Sequence, residues 1–216
     1  KALVGSAVGY AMDGFDLLIL GFMLSAISAD LNLTPAQSGS LVTWTLIGAV
    51  VGGIVFGALS DRYGRVRVLT WTIVLFAVFT GLCAIAQGYW DLLIYRTIAG
   101  IGLGGEFGIG MALAIEAWPA KHRAKAASYV ALGWQVGVLA AALLTPVLLP
   151  HIGWRGMFVV GIFPAFVAWY LRTRLHEPEI FSQKQTALST QKTSKLESFK
   201  LLVKDKATTK VSLGVV

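Results

Sequence analysis

Two long apolar runs are joined by the stretch Gly57-Ala58-Leu59-Ser60-Asp61-Arg62-Tyr63-Gly64-Arg65. The stretch is short, is punctuated by glycine and carries three charged residues directly against hydrophobic sequence. Charged side chains are costly in the hydrocarbon region, so they collect where a chain leaves the bilayer. The stretch therefore predicts a loop between two transmembrane helices.

The composition is typical of a membrane protein. Of the 216 residues, 56% are hydrophobic and 13% are charged, whereas soluble domains have about 25% charged residues. The net charge of +7 is explained by basic cytoplasmic loops, not by nucleic-acid binding. The single cysteine, Cys83, excludes an internal disulfide. No zinc-binding spacing, Walker loop or GxSxG motif occurs, so we predict no enzyme, metal or cofactor.

Six apolar runs have the length of about 20 residues that a spanning helix needs. They cover residues 3–29, 37–60, 68–88, 92–117, 125–149 and 155–175. Thr34 is the predicted N-cap of the second helix, Trp118-Pro119 ends the fourth, and Pro150-His151-Ile152-Gly153 separates the fifth from the sixth. The prediction is an all-α membrane protein with a six-helix transmembrane bundle over residues 1–175.

Basic residues predict the orientation of the bundle. Sixteen of the eighteen Lys and Arg residues fall on one side of the predicted helices, which places the N-terminus in the cytoplasm. Residues 176–207 are polar and predict a cytoplasmic linker with a short surface helix. Residues 208–216 are predicted to begin a truncated seventh helix, and both ends of the sequence suggest that the chain is a fragment.

Two carboxylates lie midway along the first predicted helix. Asp13 and Asp16 are three residues apart, so they share a helix face. Burying charge in the membrane costs about 2.5–3.5 kcal/mol on insertion scales, which favours a functional role such as binding and releasing a proton. The alternative is that one carboxylate bonds neighbouring polar groups while the other faces water.

The fourth helix contains two more charged residues, Arg96 and Glu106. Arg96 presents a planar fork suited to a carboxylate, but its position near a helix start also allows it to reach the interface. Glu106 lies ten residues further on, ~15 Å deeper. It is a second candidate for proton transfer, or a partner for a basic group on another helix.

Opposite charges gather at one predicted membrane surface. The set comprises Asp61, Arg62, Arg65, Glu116 and Arg123. These residues are predicted to form a cytoplasmic gate that closes one side of a carrier. The alternative is an ordinary cluster of surface ion pairs that contributes little to stability.

Two residues of the fifth helix, Trp134 and Gln135, are candidates for substrate contact. Packing or lipid-facing roles are equally consistent for the tryptophan. Trp90 and Trp154 lie next to loops and are predicted to belong to an interfacial belt.

Glycines recur four residues apart on the second and fourth helices. They are Gly48, Gly52, Gly53 and Gly57 on the second, and Gly100, Gly104 and Gly108 on the fourth. This spacing predicts close approach of the helix backbones.

Several motifs resemble the major facilitator superfamily of transporters. Gly57-x-Leu59-Ser60-Asp61-Arg62-x-Gly64-Arg65 resembles the loop between its second and third helices, although Val66 stands where the family usually has a basic residue. The fourth helix of its organic-acid/proton symporters is similar to two consecutive stretches of this chain. They are Arg96-x-x-x-Gly100-Ile101-Gly102-x-Gly104-Gly105-Glu106 and Glu116-x-x-Pro119-x-x-x-Arg123. Gly153-Trp154-Arg155-x-Met157-Phe158 resembles the start of their sixth helix, and Asp13-Gly14-Phe15-Asp16 resembles the first-helix motif of aromatic-acid and sialate symporters.

The resemblance implies the N-terminal half of a twelve-helix fold, built from two inverted three-helix repeats. It implies that Asp13, Asp16 and Glu106 serve proton coupling and substrate binding, and that Arg96 helps to hold a carboxylate. The expected partners are a small organic anion, protons, the lipid bilayer and the missing C-terminal half.

The predicted function is import of a small organic anion, a carboxylate or an aromatic acid, with protons, by alternating access in a bacterial inner membrane. An alternative is a proton-coupled drug or metabolite exporter of the same fold. Another is a membrane receptor that binds a ligand without transporting it. A further alternative is a half-length chain that pairs with itself.

Overall fold

The structure, a computed structural model, describes residues 2–116 and 118–173, and every regular element in them is helical. The helices are α1 (Ala2–Leu31), α2 (Pro35–Tyr63), α3 (Arg65–Cys83), α4 (Tyr89–Glu116) and α5 (Arg123–Thr173), with one turn of 3-10 helix at Ala120–His122. In this described part, five helices are long and apolar enough to cross a membrane. The prediction of an all-α membrane protein is confirmed.

The predicted fifth and sixth helices form the single element α5, which is interrupted at Gly153. Gly153 has φ 64° and ψ 177°, a conformation outside the helical region that glycine tolerates without a Cβ clash. Residues 150–152 remain helical, so the predicted four-residue separation is too long and one residue makes the break. The predicted linker at 176–207 and helix start at 208–216 lie outside the described residues.

Helix boundaries follow local chemistry near the predicted positions. Thr34 caps α2 in a capping box with Gln37, and Pro35 occupies the first turn. Gly64, with φ 102°, separates α2 from α3 within a single residue. The predicted loop over residues 57–65 is therefore wrong in extent, because residues 57–63 form the last turns of α2. The α3 helix ends at Cys83, five residues before the predicted end at residue 88.

The helices alternate between two ends of the bundle, here called the Gly64 end and the Asn32 end. Helix α1 runs from the Gly64 end to the Asn32 end, α2 returns, α3 runs out again and α4 returns. The part of α5 before Gly153 runs alongside α1 in the same direction, because Gly133 lies against Ala7 and Gly137 against Ala11. After Gly153 the chain turns back, since Gly161 lies near Ile19 and Thr80.

Glycines allow close backbone contact at two helix crossings. Between α2 and α4, a Cβ placed on any of four glycines would overlap the facing backbone; these are Gly48, Gly52, Gly100 and Gly104. This confirms the predicted use of the spacing at those positions, whereas Gly57 and Gly108 have open space beside them. Between α1 and α5, Gly133 and Gly137 play the same part. The sequence-based prediction did not include Gly133 and Gly137, although they are four residues apart like the glycines of α2 and α4.

A polar cluster ties three elements together at the Asn32 end. Asp30, at the end of α1, accepts hydrogen bonds from the Nε1 of Trp154 at 3.0 Å and from Arg155 at 2.6 Å. Arg155 also donates to the carbonyl of Ala86, between α3 and α4. Trp154 is only 5% exposed, so it packs inside the bundle and not on a lipid-facing belt as predicted. Its indole N–H donates to Asp30, whose side chain is half-exposed. Trp90 is 70% exposed, as expected of a belt residue.

The α1–α5 crossing yields a stability prediction. In Gly137→Ala, the added methyl group overlaps the backbone carbonyl of Ala11, and overpacking of this kind costs about 1–3 kcal/mol. We expect a clearly lower midpoint of thermal unfolding for the full-length protein purified in detergent. The matched control is Gly21→Ala, where the added methyl group meets open space. Equal midpoints for the two variants would contradict this account of the crossing.

Candidate functional site: a buried ion pair between two helices

The central feature of the site is an ion pair between α1 and α4. Arg96 donates from both terminal nitrogens to the two carboxylate oxygens of Asp16, at 3.2 Å and 2.8 Å. The side chains are 0% and 2% exposed. This bidentate fork is the strongest geometry available to an arginine and a carboxylate. Both charges therefore lie inside the bundle, and each compensates the other.

Aromatic and sulfur groups surround the guanidinium. The ring of Phe158, after the Gly153 break, lies under Arg96 with its centroid 5.7 Å from the guanidinium carbon. The thiol of Cys83, the last residue of α3, lies beside the same group. Because four helical segments enclose Arg96, its side chain does not extend to the interface, and that alternative for Arg96 is wrong.

The other two predicted carboxylates are also buried. Asp13 and Glu106 are each 0% exposed, on α1 and α4 respectively. Both interact electrostatically with the phenol of Tyr10, which is 2% exposed. The interface between α1 and α4 thus buries three carboxylates and one guanidinium. We call this set, Asp13, Asp16, Arg96 and Glu106, the charged seam. The alternative in which one aspartate faces water does not match the burial of Asp13 and Asp16.

Next to the carboxylates lies an aromatic cluster from three helices. Tyr10 stacks on Phe107 with ring centroids 4.4 Å apart, and its hydroxyl donates to the carbonyl of Phe107 at 2.7 Å. Trp134 of α5 meets Phe107 edge-on at 5.8 Å. Trp134 is half-buried and its neighbour Gln135 is exposed. Of the two predicted contact residues on α5, the structure places Trp134 beside the charged seam.

The predicted gate residues meet at the Gly64 end. Arg65 of α3 lies 2.9 Å from Glu116 of α4 and 3.8 Å from Asp61 of α2. Arg65 is the more buried partner, at 15% exposed, while Asp61 is 71% exposed. The Arg65–Glu116 pair is therefore the tighter contact, and it links the ends of α3 and α4.

The remaining two gate candidates have other contacts. The guanidinium of Arg62 lies over the ring of Tyr63, 5.2 Å from its centroid. Arg123 donates its Nε to the carbonyl of Trp118 at 3.3 Å, which closes the turn between α4 and α5. The structure therefore centres the charged cluster on Arg65 and gives Arg123 a local role in the turn.

Two residues of the site, Tyr10 and Phe107, were not predicted from the sequence. A signal for Tyr10 was present, since it precedes Asp13 by three residues and therefore shares its helix face. Phe107 carried no such signal, because an apolar aromatic in an apolar helix is ordinary. Its place beside Tyr10 and Trp134 depends on the packing of three helices.

The chemistry available at the site is that of carboxylates and one guanidinium. Among the described residues, no group of His, Cys, Asp and Glu is arranged to hold a metal ion. Carboxylates bind and release protons, and a guanidinium binds a carboxylate. The arrangement therefore suits the binding of protons and of an organic anion within a membrane-spanning bundle.

Comparison with known proteins places the chain among transporters. The family model described as Major Facilitator Superfamily matches residues 6–215. A protein of Haemophilus influenzae named "Putative metabolite transport protein" is 88% identical over 100% of this chain and 54% of its own length. The sialic acid transporter NanX of Escherichia coli is 35% identical over 83% of this chain and 44% of its own length. The cis,cis-muconate transport protein of Acinetobacter baylyi is 35% identical over 90% of this chain and 48% of its own length.

Solved structures agree on the fold. The xylose transporter XylE from E. coli superposes with a TM-score of 0.75 at 23% identity, over 85% of this chain and 49% of that one. The chain thus spans about half the length of the relatives that it matches. Its membrane-length helices identify part of an integral membrane protein, and its relatives are transport proteins, not enzymes. The chain belongs to the Major Facilitator Superfamily.

Proposed function

We propose that the chain is the N-terminal half of a secondary active transporter that imports a small organic anion together with protons. The observation that carries the proposal is the bidentate Asp16–Arg96 pair, because both charges are buried within membrane-length helices. Ionisable groups at such positions are costly and mark substrate or proton pathways. Relatives that carry sialic acid and cis,cis-muconate support an organic acid as the substrate class.

The coupling step follows from the charge balance at Arg96. A proton that binds Asp16 removes its negative charge and frees the guanidinium fork. The carboxylate of the substrate then takes the vacated place, so the buried site keeps one positive and one negative charge. Substrate and proton are each unfavourable alone, because either arrives at a site whose charge it unbalances. Together they restore the balance, which is the basis of symport.

The Arg65–Glu116 pair acts as part of a gate at the cytoplasmic side. It joins the ends of α3 and α4 at 2.9 Å, and the excess of basic residues at this end supports a cytoplasmic location. Breaking and re-forming such a pair accompanies alternating access between two six-helix halves. The second half of the transporter, of similar length, completes the cavity.

Asp16→Asn tests the coupling. The amide keeps the size of the side chain but binds no proton, so we expect the stimulation of benzoate uptake by an inward proton gradient to disappear in proteoliposomes of the full-length protein. Asp91→Asn, which removes a charge at the start of α4, is the matched control and should retain the stimulation. Gradient-stimulated uptake at the unsubstituted level in Asp16→Asn would overturn the coupling role.

The same substitution has a second consequence for stability. Asp16→Asn leaves the buried charge of Arg96 uncompensated, which costs about 3–5 kcal/mol when one partner of a buried pair is removed. Benzoate should restore part of this loss, because its carboxylate occupies the vacated place. We therefore expect benzoate to raise the thermal unfolding midpoint of Asp16→Asn more than that of the unsubstituted protein. Equal shifts would show that Arg96 does not receive the anion.

The gate predicts a rate effect without an affinity effect. Arg65→Gln and Glu116→Gln each remove the tie between α3 and α4, so we expect initial uptake rates to fall several-fold while KM for the anion changes little. A charge exchange, Arg65→Glu with Glu116→Arg, should recover part of the rate. Lys121→Gln removes an exposed charge at the same end and serves as the control. Unchanged rates in both single variants would exclude the gate.

A further inference from the structure

A buried phenylalanine contacts the cation of the central ion pair. The ring of Phe158 is 0% exposed, and its centroid lies 5.7 Å from the guanidinium carbon of Arg96. The face of an aromatic ring is negative, so it attracts a cation, and the attraction is larger where water is absent. This contact does not depend on the charge of Asp16. The ring therefore still holds Arg96 when a proton neutralises that carboxylate.

Trp154 supports the ring of Phe158 from the Asn32 end. The two residues are four positions apart after the Gly153 break, and their rings meet edge to face at 90°, with centroids 6.0 Å apart. Trp154 is 5% exposed, so both rings lie within the packed interior. A packed interior has little empty volume in which a displaced ring could settle, and it transmits strain. The orientation of the Trp154 indole therefore constrains the ring that lies against Arg96.

The orientation of Trp154 is fixed near the surface of the bundle. Its Nε1 donates to Asp30 at 3.0 Å, and the guanidinium carbon of Arg155 lies 4.1 Å from the centroid of the indole. Arg155 also donates to Asp30 at 2.6 Å. The side chains of Arg155 and Asp30 are 43% and 46% exposed. The position of a buried indole is thus determined by two charged groups that are open to the surroundings.

A continuous set of contacts joins these exposed groups to the buried ion pair. Asp30 and Asp16 lie on the same helix, fourteen residues and therefore ~21 Å apart. The contacts between them run through other helices, in the order Asp30 to Trp154, Trp154 to Phe158, and Phe158 to Arg96. The last of these residues holds Asp16 in the bidentate pair.

We propose that Phe158 is a positioning residue for Arg96, and that the hydrogen bond from Trp154 to Asp30 sets the position of Phe158. The inference rests on the proposed function and adds that anion binding at Arg96 depends on the Asn32 end of the bundle. When Asp16 is neutralised, the ring keeps the guanidinium in the orientation that a substrate carboxylate requires. Phe158 acts through Arg96, not through contact with the substrate.

A cycle of substitutions tests the contact between Phe158 and Arg96 without substrate or proton gradient. Midpoints of thermal unfolding are measured for the full-length protein in detergent. Asp16→Asn together with Arg96→Gln removes both buried charges and gives a neutral background. We expect Phe158→Leu to lower the midpoint more with the charges present than in the neutral background, because only a cation is attracted to the ring face. Phe158→Tyr keeps that face and should have the same effect in both backgrounds. Equal effects of Phe158→Leu in the two backgrounds would overturn the positioning role.

Variants at the Asn32 end test the remote part of the proposal. Binding of benzoate to the full-length protein in lipid nanodiscs is measured by calorimetry. Trp154→Phe keeps a ring but lacks the indole N–H, and Asp30→Asn removes the charge of the acceptor. We expect each to weaken benzoate binding by about twofold to fivefold, which corresponds to partial loss of a cation–π contact. The double variant should bind no more weakly than the weaker single variant, because both substitutions act on one hydrogen bond.

The matched control for Asp30→Asn is Asp91→Asn. Asp91 is a carboxylate at the same end of the bundle, but it accepts a hydrogen bond from the backbone N–H of Gln87, at 3.2 Å. Asp91→Asn should therefore leave benzoate binding unchanged.

The outcomes separate this proposal from the proposed function. Unchanged benzoate binding in both Trp154→Phe and Asp30→Asn would overturn the dependence on the Asn32 end. Gradient-stimulated uptake in Asp16→Asn would count against the proposed coupling alone, because neither measurement here uses a proton gradient. Failure of the unsubstituted protein to bind benzoate would count against the proposed anion site, and the cycle without substrate would still decide the role of Phe158.

Discussion

The pairing of Asp16 with Arg96 constrains the rest of the bundle. Neither charge is stable alone inside membrane-length helices, so α1 and α4 must meet with these two residues opposite each other. The fork of Arg96 allows little freedom, because two nitrogens contact two oxygens at 3.2 Å and 2.8 Å. The pair therefore sets the relative rotation and the axial register of α1 and α4, and with them the positions of Asp13, Glu106 and Phe107.

Glycine contacts between helices and ion pairs at the two ends of the bundle are compatible with this register of α1 and α4. Glycines let α2 approach α4, and α5 approach α1, so that side-chain volume does not separate the helices that flank the charged seam. Polar ties hold the two ends: Arg65 with Glu116 at the Gly64 end, and Asp30 with Arg155 at the Asn32 end. These end contacts are more exposed than the central pair, so each is worth less. Removing one partner of the buried central pair therefore costs more than removing one partner of either end pair, because it leaves an uncompensated buried charge.

The chemistry of transport is consistent with this distribution. A carrier needs a centre that binds its substrate and ends that open in turn. The described helices place the charges with the greatest cost of burial at the centre, and place the half-exposed pair at the end proposed as a gate. The aromatic cluster lies between them on the same seam.

Local features of the structure could be read from the sequence because they depend on near neighbours. Apolar runs of membrane length, the Thr34 cap and the breaks near Gly64 and Gly153 are each set within a few residues. The family resemblance, which the Major Facilitator Superfamily match confirms, rested on motifs of the same local kind. The sequence also singled out the buried charges, because an ionisable residue inside an apolar run is visible without any fold.

The choice of partners depended on tertiary structure. Asp13, Asp16 and Glu106 were equivalent candidates in the sequence, and only the rotation of α1 against α4 made Asp16 the residue that meets Arg96. The sequence predicts an interfacial position for Trp154, whereas in the structure its indole N–H donates to Asp30, 124 positions away. Phe107 became a candidate only beside Tyr10 and Trp134. Sequence alone therefore determined the helices, their ends and the list of charges. Tertiary structure decided which side chains meet, because rotation and register between helices arise from packing along their whole length.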